Sequence, residues 1–129
     1  MHVDHIGVVT DDADALAELY GTLFDAPAVH EELLDGLRVV FLELGENSYF
    51  ELLEPVEADT DVGAYLDREG AGIHHVALAT EDIEAALATA REAGVALIDE
   101  QPREGAWGHE IAFLHPRDTG GALVEFVQH

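Results

Sequence analysis

Two histidines and two glutamates recur at matching positions in the two halves of this sequence. The stretch VDHIGVVT near its start is restated as IHHVALAT about half a chain later, which aligns His5 with His75. Each half also closes on an apolar stretch with one central acid, Glu51 in the first and Glu125 in the second. Two neutral imidazoles and two carboxylates suit a divalent first-row metal ion and leave coordination positions open for substrate oxygens. The repeated pairs therefore predict a metal centre formed by His5, Glu51, His75 and Glu125.

Strand alternation distinguishes the two adjacent histidines of the second half. Successive side chains of a strand point to opposite faces, so His75 shares a face with the small residue Ala77 while His74 points the other way. His74 aligns with Asp4 and not with His5. We therefore assign the ligand role to His75 and a structural role to His74. An isolated acid within a strand is at least as often on an exposed face as in a site, and only the recurrence in both halves favours the site.

The length of 129 residues corresponds to one ordinary domain, because each half is too small to bury a good core by itself. We expect a single domain over 1–129, with module one at about 1–55, a linker at about 56–71 and module two at about 72–129. The absence of cysteine excludes disulfides and thiolate metal sites. The sequence shows neither a signal peptide nor a membrane span at its start, which predicts a cytoplasmic protein.

The charge balance is strongly acidic, with 28 acids against five basic residues, all of them arginine. Because 48% of the residues are hydrophobic and follow regular patterns, a folded protein with an acidic surface is favoured over disorder. Self-repulsion of such a surface is largely screened at molar salt, where the Debye length is about 3 Å, which indicates a salt-rich cytoplasm. The same surface argues against nucleic acid and anionic membranes as partners.

The same order of elements is expected in each half: a strand, a helix and three further strands. Asp12 and Asp82 are suited to cap the two helices, and Asp35-Gly36 is a strong signal for a tight hairpin. The first helix is expected to bury Leu16, Leu19, Tyr20 and Leu23. Strands are expected at 3–10, 28–34, 37–44, 49–53, 72–80, 95–98, 109–114 and 122–128, with a short helix at 62–69.

This organisation, with the four candidate ligands, resembles the vicinal oxygen chelate superfamily. Within it, the sequence is most similar to the methylmalonyl-CoA epimerase family. The stretches that carry the resemblance are 5–8 (HIGV), 50–55 (FELLEP), 70–77 (GAGIHHVA), 97–103 (LIDEQPR) and 113–125 (FLHPRDTGGALVE). The resemblance implies an α+β fold in which two tandem βαβββ modules form a cupped mixed sheet with helices on the outer face.

The resemblance also implies an activity, an isomerase that interconverts (R)- and (S)-methylmalonyl-CoA. In that family the thioester carbonyl and the neighbouring carboxylate chelate one divalent ion (cobalt, manganese, nickel or zinc), and the proton between them is removed through an enediolate. Inversion needs two acid/base groups, and Glu125 matches the family's strand-end glutamate. Glu51 is expected to be a ligand, the second base or both. A homodimer and an acyl-CoA substrate are implied in the same way.

Two departures from the family pattern leave alternatives open. A glutamate that some relatives carry after the first hairpin is replaced here by Val39, and Glu51 stands where some relatives have glutamine. The resulting set of two histidines and two glutamates also resembles glyoxalase I. A non-catalytic binding protein of the same fold and a ring-cleaving dioxygenase are further alternatives. Arg38, Arg103 and Arg117 are candidates for the CoA phosphates, and each is equally suited to a surface salt bridge.

The acidic composition leads to a first prediction, which concerns stability and salt. Because salt screens the repulsion among surface carboxylates, the melting temperature should rise as potassium chloride increases from dilute buffer towards molar concentrations. Thermal melts followed by circular dichroism check this. A melting temperature independent of salt would remove the argument for a salt-rich cytoplasm.

Overall fold

The computed structural model describes all 129 residues and contains eight strands and three helices. The strands are β1 (His2–Val9), β2 (Ala28–Leu34), β3 (Leu37–Glu43), β4 (Tyr49–Pro55), β5 (Gly72–Ala79), β6 (Arg103–Glu104), β7 (Glu110–Phe113) and β8 (Val124–Gln128). The helices are α1 (Ala13–Phe24), α2 (Asp61–Glu69) and α3 (Ile83–Glu92). None of these helices has the length and apolar character needed to cross a membrane.

All eight strands belong to one mixed sheet, in the order β2-β3-β4-β1-β5-β8-β7-β6. In each repeat the first strand runs parallel to the last, β1 with β4 and β5 with β8, and the remaining pairs of that repeat are antiparallel. The element order βαβββ therefore occurs twice, and the predicted α+β fold is confirmed. The chain divides into two compact units, residues 5–74 and residues 1–4 with 75–129.

Helix α1 covers one face of the sheet in the unit formed by residues 5–74. It starts where the Asp12 side chain accepts a hydrogen bond from the Ala15 N–H, and it ends at Asp25, which adopts the left-handed conformation. Its apolar stripe packs against Val8, Val40, Leu42 and Leu52 of three strands. The stripe consists of Ala13, Leu16, Ala17 and Tyr20.

The predicted burial of Leu19 and Leu23 on α1 is wrong, because their side chains are 50% and 61% exposed. Both residues lie beside the stripe and not on it. The buried positions follow the spacing i, i+3, i+4 and i+7, which begins at Ala13 and does not include either leucine. The prediction assigned the helix the right period but rotated its apolar face.

The β2–β3 hairpin turns at Asp35 and Gly36, as predicted. Both residues have positive φ, 51° and 80°, which is the requirement of the two-residue turn that matches the twist of a hairpin. This turn fixes the register, so that Glu32 lies opposite Val39 and His30 lies opposite Phe41. Residues directly opposite each other in a ladder share a face of the sheet.

The second unit repeats the arrangement with α3. The Asp82 side chain accepts a hydrogen bond from the Ala85 N–H at the start of the helix. The apolar face of α3 packs against β7 and β8, through Ile83, Ala86, Leu87, Ala90, Ala112, Leu114 and Phe126. Leu78 of β5 packs against this cluster, as its strand alternation predicted.

The strand predicted at 95–98 is wrong, since only an isolated bridge between Leu97 and Leu114 forms there. Side chains satisfy part of the backbone instead: the Asp118 carboxylate accepts a hydrogen bond from the Ala96 N–H. The Asp99 carboxylate likewise accepts from the Phe113 N–H. The short strand β6, which lies in the predicted loop, takes the place beside β7.

Helices α1 and α3 each cover one face of the strands in their own unit. We call the other face of those strands, which the helix does not cover, the ligand face. In residues 5–74 it carries His5, Phe41 and Glu51, because their neighbours along the strands belong to the α1 core. In the other unit it carries His75 and Glu125 together with the apolar residues Ala77, Ala79, Ile111, Phe113 and Val127.

A salt-bridge cluster on the opposite side joins α1 to the hairpin. The Arg38 guanidinium donates from Nη2 to Asp14 Oδ1 and from Nε to Glu31 Oε1, each at 2.7 Å. The hydrogen bond from Arg38 lowers the pKa of the Asp14 carboxyl. The hydrogen bonds to Asp14 and Glu31 raise the pKa of Arg38.

A second prediction follows from the lowered pKa of Asp14. Since the folded-state pKa is below that of the unfolded chain, about 3.9, the stabilisation is complete above that value and is lost as the pH falls through the folded pKa. Asp14→Asn should lower the melting temperature slightly at pH 7 and by progressively less as the pH falls below about 3.9. Asp11→Asn, at an exposed position before the same helix, is the control. Equal effects of the two substitutions at pH 7 would contradict the role of the cluster.

Candidate metal centre

His5 and Glu51 meet on the ligand face because β1 and β4 are parallel neighbours. Glu51 lies beside Gly7, two residues after His5 on the same face of β1. The His5 Nε2 atom is 3.6 Å from Glu51 Oε1, which is longer than an ordinary hydrogen bond. Two atoms bound to one ion at about 2.1 Å are separated by about 3.0 to 3.4 Å at octahedral or tetrahedral angles. The distance between these two atoms is therefore closer to that between two ligand atoms of one ion than to that of a direct hydrogen bond.

The second repeat places His75 and Glu125 by the same register. Glu125 lies beside Ala77, two residues after His75, just as Glu51 lies beside Gly7. Ligand atoms of His5, His75 and Glu125 all lie within 4.8 Å of one another, and all three residues are buried. Glu51 is outside this group of three.

A phenylalanine fixes the ring of each histidine in the same way in both repeats. Phe41 lies opposite Glu51, and Phe113 lies opposite Glu125. The ring of His5 meets that of Phe41 at 5.6 Å and 85°, and the ring of His75 meets that of Phe113 at 5.5 Å and 84°. These edge-to-face contacts limit rotation of both imidazoles. The sequence analysis missed the two phenylalanines, although they occupy equivalent positions in the repeat.

The four candidate ligands are almost completely removed from solvent. The exposed fraction is 4% for His5, His75 and Glu125 and 6% for Glu51. Burial of an ionised carboxylate is costly unless an opposite charge, a hydrogen bond or a metal compensates it. A divalent cation provides that compensation for both acids, and imidazole with carboxylate is a donor set that first-row ions accept. The residues present therefore fit such an ion.

His74 lies apart from this set, in a different environment. Its ring packs edge-on against the Tyr65 ring of α2, at 4.7 Å and 80°. It is partly exposed, whereas His75 is buried. These surroundings support the assignment of a packing role to His74.

The arginines suggested for the CoA phosphates differ in their surroundings. Arg38 is held by two acids on the α1 side of the sheet, away from the ligand face. Arg117 lies 3.9 Å from Asp118. Arg103 pairs with Asp99 at 3.0 Å, and its guanidinium lies 5.8 Å from the ring of Phe113. Arg103 is therefore the candidate that lies beside a ligand-face residue.

Two histidines outside the predicted metal centre, His30 and His129, have specific contacts. His30 Nε2 is 3.4 Å from Glu32 Oε2, and its ring lies 6.2 Å from that of Phe41. His129 Nε2 lies 2.5 Å from Oδ1 of the buried Asp4. The hairpin register could have revealed the first of these contacts, because it puts His30 and Phe41 on one face. No signal in the sequence indicated the second.

Comparisons with known proteins agree with this geometry. The sequence profile of the Glyoxalase/Bleomycin resistance protein/Dioxygenase superfamily matches residues 4–113. The ethylmalonyl-CoA/methylmalonyl-CoA epimerase of Cereibacter sphaeroides is 35% identical over 130 residues, which cover 98% of this chain and 96% of that protein.

Solved structures show the same similarity. A variant of Streptomyces coelicolor methylmalonyl-CoA epimerase, in complex with 2-nitronate-propionyl-CoA, is 38% identical with a TM-score of 0.93, covering 99% of this chain and 94% of that chain. A methylmalonyl-CoA epimerase in complex with methylmalonyl-CoA and ammonium is 38% identical with a TM-score of 0.92, covering 98% and 93%.

A third prediction tests the assignment of the two histidines. Loss of a group that only orients a metal ligand typically weakens metal binding by roughly 10- to 100-fold. His5→Ala and His75→Ala remove a ligand itself, so each should weaken metal binding by more than this. His74→Ala is the matched control and should keep most of the affinity. Metal titration followed by calorimetry measures all three, with circular dichroism to verify folding. The ligand assignment is wrong if His74→Ala loses the ion and His75→Ala retains it.

Proposed function

We propose that this chain, which belongs to the glyoxalase/bleomycin resistance protein/dioxygenase superfamily, interconverts the two epimers of methylmalonyl-CoA with the help of one divalent metal ion. The observation that carries the proposal is the repeated pair of buried histidine and glutamate, one pair in each repeat. Similarity over nearly the whole chain to epimerases of this substrate supports it. The chain is accordingly an isomerase.

The residues proposed to hold the ion are His5, Glu51, His75 and Glu125. His5, His75 and Glu125 already have ligand atoms within 4.8 Å of one another, and Glu51 is added because its carboxylate lies 3.6 Å from His5. When bound, the ion would act as a Lewis acid towards the substrate oxygens on which negative charge develops, a stabilisation of several kcal/mol. Its identity among cobalt, manganese, nickel and zinc stays a prediction, as do a homodimer and a cytoplasmic location.

Glu125 is proposed to remove the proton from the carbon between the thioester carbonyl and the carboxylate of the substrate. The proton passes to a carboxylate oxygen of Glu125, and the electron pair of the broken C–H bond moves into the thioester as an enolate. Apolar residues including Ala77, Phe113 and Val127 line the ligand face around Glu125. They shield the carboxylate from bulk water while the substrate is bound. A positioned general base contributes about 10²- to 10⁴-fold to the rate.

The set of two histidines and two glutamates keeps glyoxalase I as the competing function. The two enzymes differ in the substrate whose proton they move. An epimerase exchanges the 2-hydrogen of methylmalonyl-CoA with solvent, because the removed proton mixes with water before one is returned. Glyoxalase I isomerises the adduct of methylglyoxal and glutathione.

A fourth prediction separates these functions by following that proton in heavy water. The protein with added metal should exchange the 2-hydrogen of methylmalonyl-CoA for deuterium and racemise it, with little turnover of the glutathione adduct. Glu125→Gln keeps the shape but cannot accept a proton, so exchange should fall by about 10²- to 10⁴-fold. Metal content must be measured alongside, because the substitution also removes a proposed ligand. Turnover of the glutathione adduct without exchange into methylmalonyl-CoA would refute the proposal and favour glyoxalase I.

A further inference from the structure

Inversion of a carbon centre needs two proton-transfer groups, one on each side of the carbon, and Glu125 accounts for only one. Resting on the proposed function, we propose that Glu32 of β2 is the second acid/base residue and that His30 positions it. Glu32 would contact the reacting carbon, and His30 would act through Glu32.

The register of three strands places Glu32 on the ligand face. Glu32 lies opposite Val39 in the β2–β3 ladder, two residues from the pair of His30 and Phe41. Phe41 in turn lies opposite Glu51 on β4. Since opposed residues share a face and alternate residues along a strand do too, all five side chains point to the same side of the sheet.

Side-chain contacts confirm this orientation. Phe41 touches His5 on one side, at 5.6 Å between ring centroids, and His30 on the other, at 6.2 Å. His30 Nε2 lies 3.4 Å from Glu32 Oε2. A continuous series of contacts on one face therefore runs from the proposed ligand His5 through Phe41 and His30 to Glu32.

The environment of Glu32 suits a group that exchanges protons with both a substrate and water. The side chains of His30 and Glu32 are 26% and 28% exposed, so both are partly shielded and neither is sealed from solvent. Glu32 and Glu51 are two strand spacings apart across the sheet and two residues apart along it, so their Cα atoms are separated by roughly 12 Å. Val39 and Phe41 form an apolar floor between these two strands. A substrate held at Glu51 and lying on this floor would present its reacting carbon towards Glu32.

Other acids of this unit are less suited to the role. Glu31 and Asp14 pair with Arg38 on the helix side of the sheet. Glu54 accepts a hydrogen bond from the Ala13 N–H at the start of α1. Glu51 is on the correct face but lies 3.6 Å from His5 and is assigned to the metal centre, so the Glu51→Gln variant below decides between the two roles. Glu32 is the acid of this unit that lies partly buried on the ligand face beside His30.

The proton balance of the proposed step is complete without another reactant. Glu125 takes the proton from the substrate carbon, and the C–H electron pair enters the thioester. Glu32, starting as the carboxylic acid, gives its proton to the opposite side of the same carbon and becomes a carboxylate. In the reverse direction the two residues exchange roles. After the product leaves, Glu125 releases its proton to water and Glu32 takes one up from water, which restores the starting state.

A fifth prediction distinguishes two bases from one through exchange that occurs without inversion. With epimerically pure (2R)- and (2S)-methylmalonyl-CoA in heavy water, the wild-type protein should incorporate deuterium into both. Glu32→Gln should lose about 10²- to 10⁴-fold in epimerisation and still incorporate deuterium into the one epimer whose proton faces Glu125. Glu32→Asp, which keeps the carboxylate, should recover part of the epimerisation.

Glu31→Gln is the matched control, since it is the adjacent carboxylate on the opposite face, and it should epimerise at close to the wild-type rate. Metal content and circular dichroism should be unchanged in each variant. The role of Glu32 is refuted if Glu32→Gln epimerises normally, or if it loses exchange from both epimers alike. One-sided exchange in Glu51→Gln with its metal retained would transfer the role to Glu51. A wild-type protein without exchange or epimerisation would instead refute the proposed function itself.

Discussion

Burial of charge beside histidine is the constraint on which the rest of this structure depends. Glu51 and Glu125 are 6% and 4% exposed, and an ionised carboxylate in such a place is unfavourable without compensation. Both repeats meet this constraint in the same way. A histidine on the first strand and a glutamate on the parallel last strand are neighbours. A phenylalanine on the antiparallel strand at the other side of the glutamate strand packs against the histidine ring. The helices contribute by covering the opposite face, which leaves this face for chemistry.

The duplication explains how much of the molecule the sequence could predict. Repeated residues fix the strand alternation, so the helix caps, the Asp35-Gly36 turn and the placement of each histidine beside a glutamate strand could be predicted from the sequence. These features depend on local sequence, on period and on backbone conformation. They do not require knowledge of which distant strand is the neighbour.

Features that depend on distant partners could not be predicted in the same way. In place of the expected strand at 95–98 there are isolated backbone hydrogen bonds with Phe113 and His115, and the Asp118 carboxylate accepts one from the Ala96 N–H; these are contacts across loops. The buried face of α1 contains the small residues Ala13 and Ala17 in place of the predicted Leu19 and Leu23. The pairing of β2 with β3 and of β3 with β4 is what puts His30 and Glu32 on the face of His5. The second proton-transfer group is thus a property of register and not of a motif.

The net charge of this protein is −23, and its few positive charges are neutralised by neighbouring acids. Each of the five arginines pairs with a nearby acid: Arg38 with Asp14 and Glu31, Arg68 with Glu69, Arg91 with Glu100, Arg103 with Asp99 and Arg117 with Asp118. A substrate rich in phosphate must approach this surface against its overall charge, whereas a divalent cation is attracted to it. The field of the protein therefore favours the ion, and salt that screens the field favours the acyl-CoA.

The central claim is that both repeats supply ligands to a single ion, and metal stoichiometry tests it most directly. Titration of metal-free protein with manganese, followed by the electron paramagnetic resonance signal of the free ion, counts the tight sites on each chain. The account predicts one site per chain. Two equivalent sites per chain would show that each histidine–glutamate pair binds its own ion, and the absence of any tight site would remove the metal centre altogether; either result would contradict the account.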